Sequence, residues 1–232
     1  MLGYLIWHGA GRPRVTWERR PIGGVTFCVL EAWGGERRIN RRIRRTLGEL
    51  TDRGVRRWII SPEWPDVWRE GLVEVEEDGL RQALFPQMLD WLSAQGRLSL
   101  GGATVELSAP WADGAVWETA RILGRRCRYL RLRVEGDAAL RQDLWRRYGI
   151  AVVGEESPAS LQVCFGRSAE GVPALFLGSG CGRRQRAEYD LPEAVSMAMG
   201  PYPLTSQLAA ALWQCGAVKT EDVRLKSLDF PA

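Results

Sequence analysis

Residues 103–135 constrain this chain more than any other stretch. A strand-like run at 103–109 is followed by a helical pattern at 112–127, where Val116, Ala120, Leu123 and Cys127 share one face, and then by a second strand at 129–135. Two strands joined by a helix pair in parallel, and a parallel sheet needs helices over its faces. The pattern continues. Residues 137–148 carry Leu140, Leu144 and Tyr148 on one helical face, with Asp137 placed to cap the helix and Gly149 to end it. Short apolar strands follow at 150–153, 161–165 and 174–177, and a last helix at 205–214. The alternation predicts an α/β fold, Rossmann-like in the C-terminal half, with a mostly parallel sheet.

The N-terminal third reads differently. Three strand-like runs at 2–8, 14–18 and 25–33 are separated by turn chemistry at 9–13 and 21–24, which predicts an antiparallel meander. A helix over 36–53 follows, with Ile39, Ile43, Leu47 and Leu50 on one stripe and Gly54 as its stop. A strand at 55–60 comes next, then a helical signal from Leu80 to Leu92 that Pro86 kinks or divides. The polar and glycine-bearing stretch 93–102 places a boundary near residue 97. The expected organisation is a smaller α/β part with the meander over 1–97 and a Rossmann-like part over 98–232.

Several chemistries are excluded by counting. The chain has one histidine, His8, so a His–His metal pair is impossible and histidine acid–base work has one candidate. Its five cysteines (Cys28, Cys127, Cys164, Cys181 and Cys215) include no C-x-x-C pair, which argues for reduced thiols and against zinc. Four read as small core residues, and Cys181 alone stands in a glycine-rich setting. No metal site, catalytic residue or cofactor is expected. No apolar run approaches the ~20 residues of a membrane span, and residues 1–8 lack the basic and apolar regions of a signal peptide. A cytoplasmic protein with no membrane partner is expected.

The unit at 103–135 is similar to the dinucleotide-binding Rossmann superfamily, and the resemblance is one of topology. It implies a turn after the first strand that holds a pyrophosphate at a helix N-terminus. It also implies an acidic residue ending the second strand that takes the ribose hydroxyls. Glu135 stands there, 21 residues after Gly114. The turn itself departs from the family: G-x-G-x-x-G is replaced by Ser108, Ala109, Pro110, Trp111, Ala112, Asp113 and Gly114. Pro110 removes a backbone donor, Trp111 takes space, and Asp113 repels phosphate. The candidate cofactor-binding residues are therefore Ser108, Trp111, Asp113, Gly114 and Glu135, on a sheet whose nucleotide site is degenerate. A scaffold use of that sheet predicts Trp111 filling the space at the strand ends. An enzyme predicts an open cleft with polar groups converging on it.

Other motifs weigh less. The 36–57 stretch carries nine Arg against three acids, and 63–79 seven acids against one Arg. Only two of the 32 basic residues are Lys, so arginine enrichment is chain-wide. The arginines of the 36–53 helix lie opposite its apolar stripe, as on a solvated face, and nucleic acid is not the expected partner. Residues 178–182, with Cys181, read as a glycine-rich hairpin turn in preference to an anion nest. Trp64 and Trp68 beside Glu63 and Asp66 read as core in preference to a carbohydrate platform. The expected function is a non-catalytic binding or regulatory protein with a protein or small-molecule partner. The alternatives are a nucleotide- or NAD(P)-dependent enzyme with an atypical 108–114 loop, and a nucleic-acid-binding module through the arginine helix.

Overall fold

The computed structural model describes residues 1–150, 152–154, 156–166, 172–178 and 185–229. The chain is α/β and divides into two compact units, Met1–Glu77 with Tyr189–Val223, and Asp78–Glu188 with Arg224–Ala232.

The first unit is built on a four-stranded sheet. Its strands are β1 (Leu2–Trp7), β2 (Arg14–Ile22), β3 (Val25–Trp33) and β4 (Arg57–Ile60), in the order β2-β3-β1-β4. The antiparallel pairing expected of the opening strands is present as the β2–β3 hairpin, turned by Gly23 and Gly24 at positive φ. β1, in contrast to the meander expected, runs parallel to both β3 and β4. Its continuous run Tyr4-Leu5-Ile6 belongs to a central strand buried on both faces, not to a half-exposed meander edge.

Helix α1 (Glu36–Asp52) connects β3 to β4 and lays Ile39, Ile43, Leu47 and Leu50 on the face that holds Leu5, Leu30 and Trp58. Burying each such side chain contributes about 1.5–3 kcal/mol. Its arginines 37, 38, 41, 42, 44 and 45 are all exposed, as the wheel requires. Trp64 and Trp68 are 1% and 2% exposed, in edge contact with Trp7, and Trp68 Nε1 donates to Asn40 of α1 at 2.8 Å. They are core.

The outer edge of β4 is closed by backbone bonds to Val73 and Val75. There Ile60 N also donates to Gln207 Oε1 at 2.9 Å. Gln207 lies in α7 (Ser206–Gln214), which Thr205 caps through its hydroxyl. A short α6 (Glu193–Ala198), which the sequence pattern does not announce, precedes it.

In the second unit Pro86 divides the expected helix into α2 (Asp78–Ala83) and α3 (Phe85–Ala94), near the start of α3. Then come β5 (Thr104–Ala109), α4 (Gly114–Arg126), β6 (Tyr129–Val134), α5 (Ala138–Tyr148), β7 (Leu161–Cys164) and β8 (Ala174–Phe176). The sheet is wholly parallel in the order β6-β5-β7-β8, and Val152 adds a parallel bridge to Leu130 on the outer side of β6. The chain thus steps outward from β5 to β6 to Val152, then returns to place β7 on the other side of β5. That is a Rossmann-like topology, with the strand order reversing between β5 and β7. β9 (Ala187–Asp190) and β10 (Arg224–Leu228) form a separate two-stranded sheet.

Alternation along β5 puts Val105 and Leu107 on one face and Thr104, Glu106 and Ser108 on the other. Glu106, only 1% exposed, accepts from Arg131 of β6 and Gln162 of β7, its register partners. Arg131 Nη1 also donates to Ser157 O at 2.9 Å. A buried carboxylate is tolerable here because it is paired and hydrogen-bonded. α5 begins without a side-chain cap: Asp137 instead binds Arg141 Nε at 2.6 Å. That ion pair, one helical turn away, takes the carboxylate that was expected to cap.

Candidate functional site

In open α/β sheets, ligands bind outside the carboxyl ends of the strands where the strand order reverses. In the second unit a cavity of about 210 Å³ lies there. Pro110, Trp111, Asp113 and Val116 come from the β5–α4 turn, Phe165 follows β7, and Gly178 follows β8. Asp78 and Gln82 of α2 complete its wall. The strand ends are tied together: Phe165 N donates to Ser108 O at 2.8 Å and Leu177 N to Cys164 O at 2.9 Å. Gly178 is held against the Phe165 backbone so closely that a Cβ would come within 3.0 Å of the Phe165 carbonyl oxygen. Gln82 Nε2 donates to Leu177 O at 2.9 Å, which fixes α2 over the end of β8.

The turn does not cradle phosphate in the manner of a glycine loop. Asp113 is the N-cap of α4, and its Oδ1 accepts from Val116 N at 2.9 Å. The chain's own carboxylate therefore stands where a pyrophosphate would meet the helix amides. Pro110 supplies no amide to this turn. The residues present do not fit a dinucleotide in the usual pose.

The structure separates the residues that the sequence groups together. Trp111 and Asp113 line the cavity. Gly114 opens α4 and faces open space, so close packing does not demand a glycine there. Ser108 is buried within the sheet, beside Arg133 and Cys164 in the strand register. Glu135 follows β6 and is exposed, one residue beyond the Ala109–Val134 pair that ends the β5–β6 ladder. Trp111 is 64% exposed, so it walls the cleft without filling it. Asp78, Gln82 and Phe165 were not visible as site residues in the sequence. Phe165 could have been found from its place just after a parallel strand, whereas Asp78 and Gln82 reach the cleft only through tertiary packing.

The remaining candidates resolve into structure. His8 stacks on Trp33 at 4.5 Å and lies 3.7 Å from Glu31. Cys28, Cys127 and Cys164 are buried, while Cys215, expected in the core, is exposed because it stands just past the buried stripe of α7. Cys181 lies outside the described residues. Among the described residues no cluster of three or more His, Cys, Asp or Glu is placed to hold a metal, and no helix is long and apolar enough to cross a membrane. No protein-family model matches the chain, and no curated protein is significantly similar to it.

Proposed function

We propose that this is a non-catalytic binding protein whose degenerate Rossmann-like sheet takes a small ligand in the cleft between Trp111 and α2. The observation that carries this reading is the cap at Asp113. A carboxylate fixed on the α4 amides at 2.9 Å supplants the phosphate, while the cleft beside it stays open. Its volume of about 210 Å³ lies below the roughly 300–1,000 Å³ of ordinary ligand sites. It suits a ligand far smaller than a dinucleotide.

Two observations favour the second reading, a nucleotide-dependent enzyme with an atypical turn: Glu135 is exposed at the end of β6, and the cleft is open with polar groups on its wall where a scaffold use of the sheet predicted Trp111 to fill it. A thermal-shift screen of small metabolites and nucleotides on the full chain separates the two. The binding reading expects stabilisation by a compound of small size, about 2.7 kcal/mol at a hundred times its Kd. That stabilisation should be lost in Trp111→Ala, whose exposed side chain the fold does not need. Stabilisation by nucleotides alone, lost in Glu135→Ala, would replace it with the enzyme reading.

A further inference from the structure

We infer that the ligand of this cleft is a small organic cation, an alkylammonium or guanidinium group on a short apolar stem. The inference rests on the binding reading above and adds the chemical class. Three separate features of the cavity converge on it. Both charged side chains among its described lining residues are acids, Asp78 and Asp113, which enter from different elements. Trp111 lines the same space with 64% of its surface open, and an indole face is the best aromatic partner for a cation. Phe165, half-buried just after β7, gives an apolar contact for a stem.

The polar groups nearby sharpen the choice. Gln82 Nε2 gives one of its two N–H groups to Leu177 O, and the Gln82 amide is the one uncharged polar side chain among the described lining residues. Asp113 Oδ1 accepts from Val116 N, which leaves Oδ2 to accept from a ligand N–H. A carboxylate can receive two parallel N–H groups from a guanidinium, and Asp78 brings a second carboxylate to the wall of the cavity. Asp78 is only half-exposed, so its attraction for a cation is less screened than that of a surface acid.

The test uses butylguanidinium and its neutral planar counterpart butylurea, with acetate and inorganic phosphate as anionic probes. The readout is the Trp111 indole N–H resonance of the full chain, assigned by its disappearance in Trp111→Phe. Butylguanidinium should shift that resonance in a saturable way and bind at least tenfold more tightly than butylurea. Added salt should weaken it. Asp78→Asn and Asp113→Asn should each lower the affinity severalfold; asparagine caps a helix as well as aspartate does, so the second variant keeps the α4 start intact.

Equal binding of butylurea would overturn the cationic assignment and leave the cleft as a ligand site. A shift caused by acetate or phosphate and not by butylguanidinium would reverse the sign of the assignment and likewise leave the cleft standing. Failure of every probe to shift Trp111 at tens of millimolar would overturn both the assignment and the reading it rests on.

Discussion

The Tyr4 hydroxyl sits in the first unit with no exposed surface and no hydrogen-bond partner among the described residues. Burial, then the neighbouring charge of Glu63, then Tyr202, push its pKa from 10.0 up to about 12. Cys127, at the end of α4, is pushed from 9.0 up to about 11, chiefly by burial and against the pull of Arg126. Both groups hold their protons more tightly folded than unfolded. Their contribution to stability is therefore complete below about pH 9 and is lost as pH rises toward 11 for the thiol and 12 for the phenol. Tyr4→Phe removes an unsatisfied hydroxyl while keeping the ring, so its cost at pH 7 should be near zero or negative. Chemical denaturation at pH 7 and pH 11 checks both points: the loss of stability between the two should be smaller in Tyr4→Phe than in the parent. A thiol held this high should also resist alkylation at pH 8, where the exposed Cys215 reacts.

The row Arg131–Glu106–Gln162 welds the three central strands of the parallel sheet on its polar face. Replacing Glu106 alone by Leu should cost about 3–5 kcal/mol, because it removes the carboxylate from a buried ion pair while the Arg131 charge stays in place. The double change Glu106→Leu with Arg131→Leu should cost less than the single one, and urea titrations of the two variants measure the difference. α1 poses the opposite case. Arg41, Arg44 and Arg45 changed together to Gln should cost no more than about 0.5 kcal/mol each, whereas Ile43→Asp, which buries a lone carboxylate, should cost more than about 4 kcal/mol. Most elements were legible because periodicity is local: the stripe of α1, the break at Pro86 and the strand–helix–strand run at 103–135 all follow from spacing. What was not legible is pairing. β1 lies parallel to β3 because a chain with apolar residues on both strand faces seeks the sheet centre, and local turn chemistry cannot report that. Asp137 failed as a cap for a similar reason, since Arg141 competes for its carboxylate.

At the scale of the whole molecule, two α/β units are built from interleaved chain segments, and the cleft lies in the second, beyond the carboxyl ends of β5, β7 and β8. The sequence carried half of that site. Trp111 and Asp113 stood out as departures from a glycine turn, and both line the cavity. The wall formed by Asp78 and Gln82 depends on α2 folding over the end of β8, which no spacing rule encodes. On the binding reading, the Asp113 carboxylate takes the place at the α4 N-terminus where a pyrophosphate would bind. Calorimetric titration of the full chain with NAD and NADP tests this most directly. No saturable heat up to millimolar cofactor is the result expected. Micromolar binding of either, weakened for NAD by Glu135→Ala and unchanged by Asp113→Asn, would contradict it.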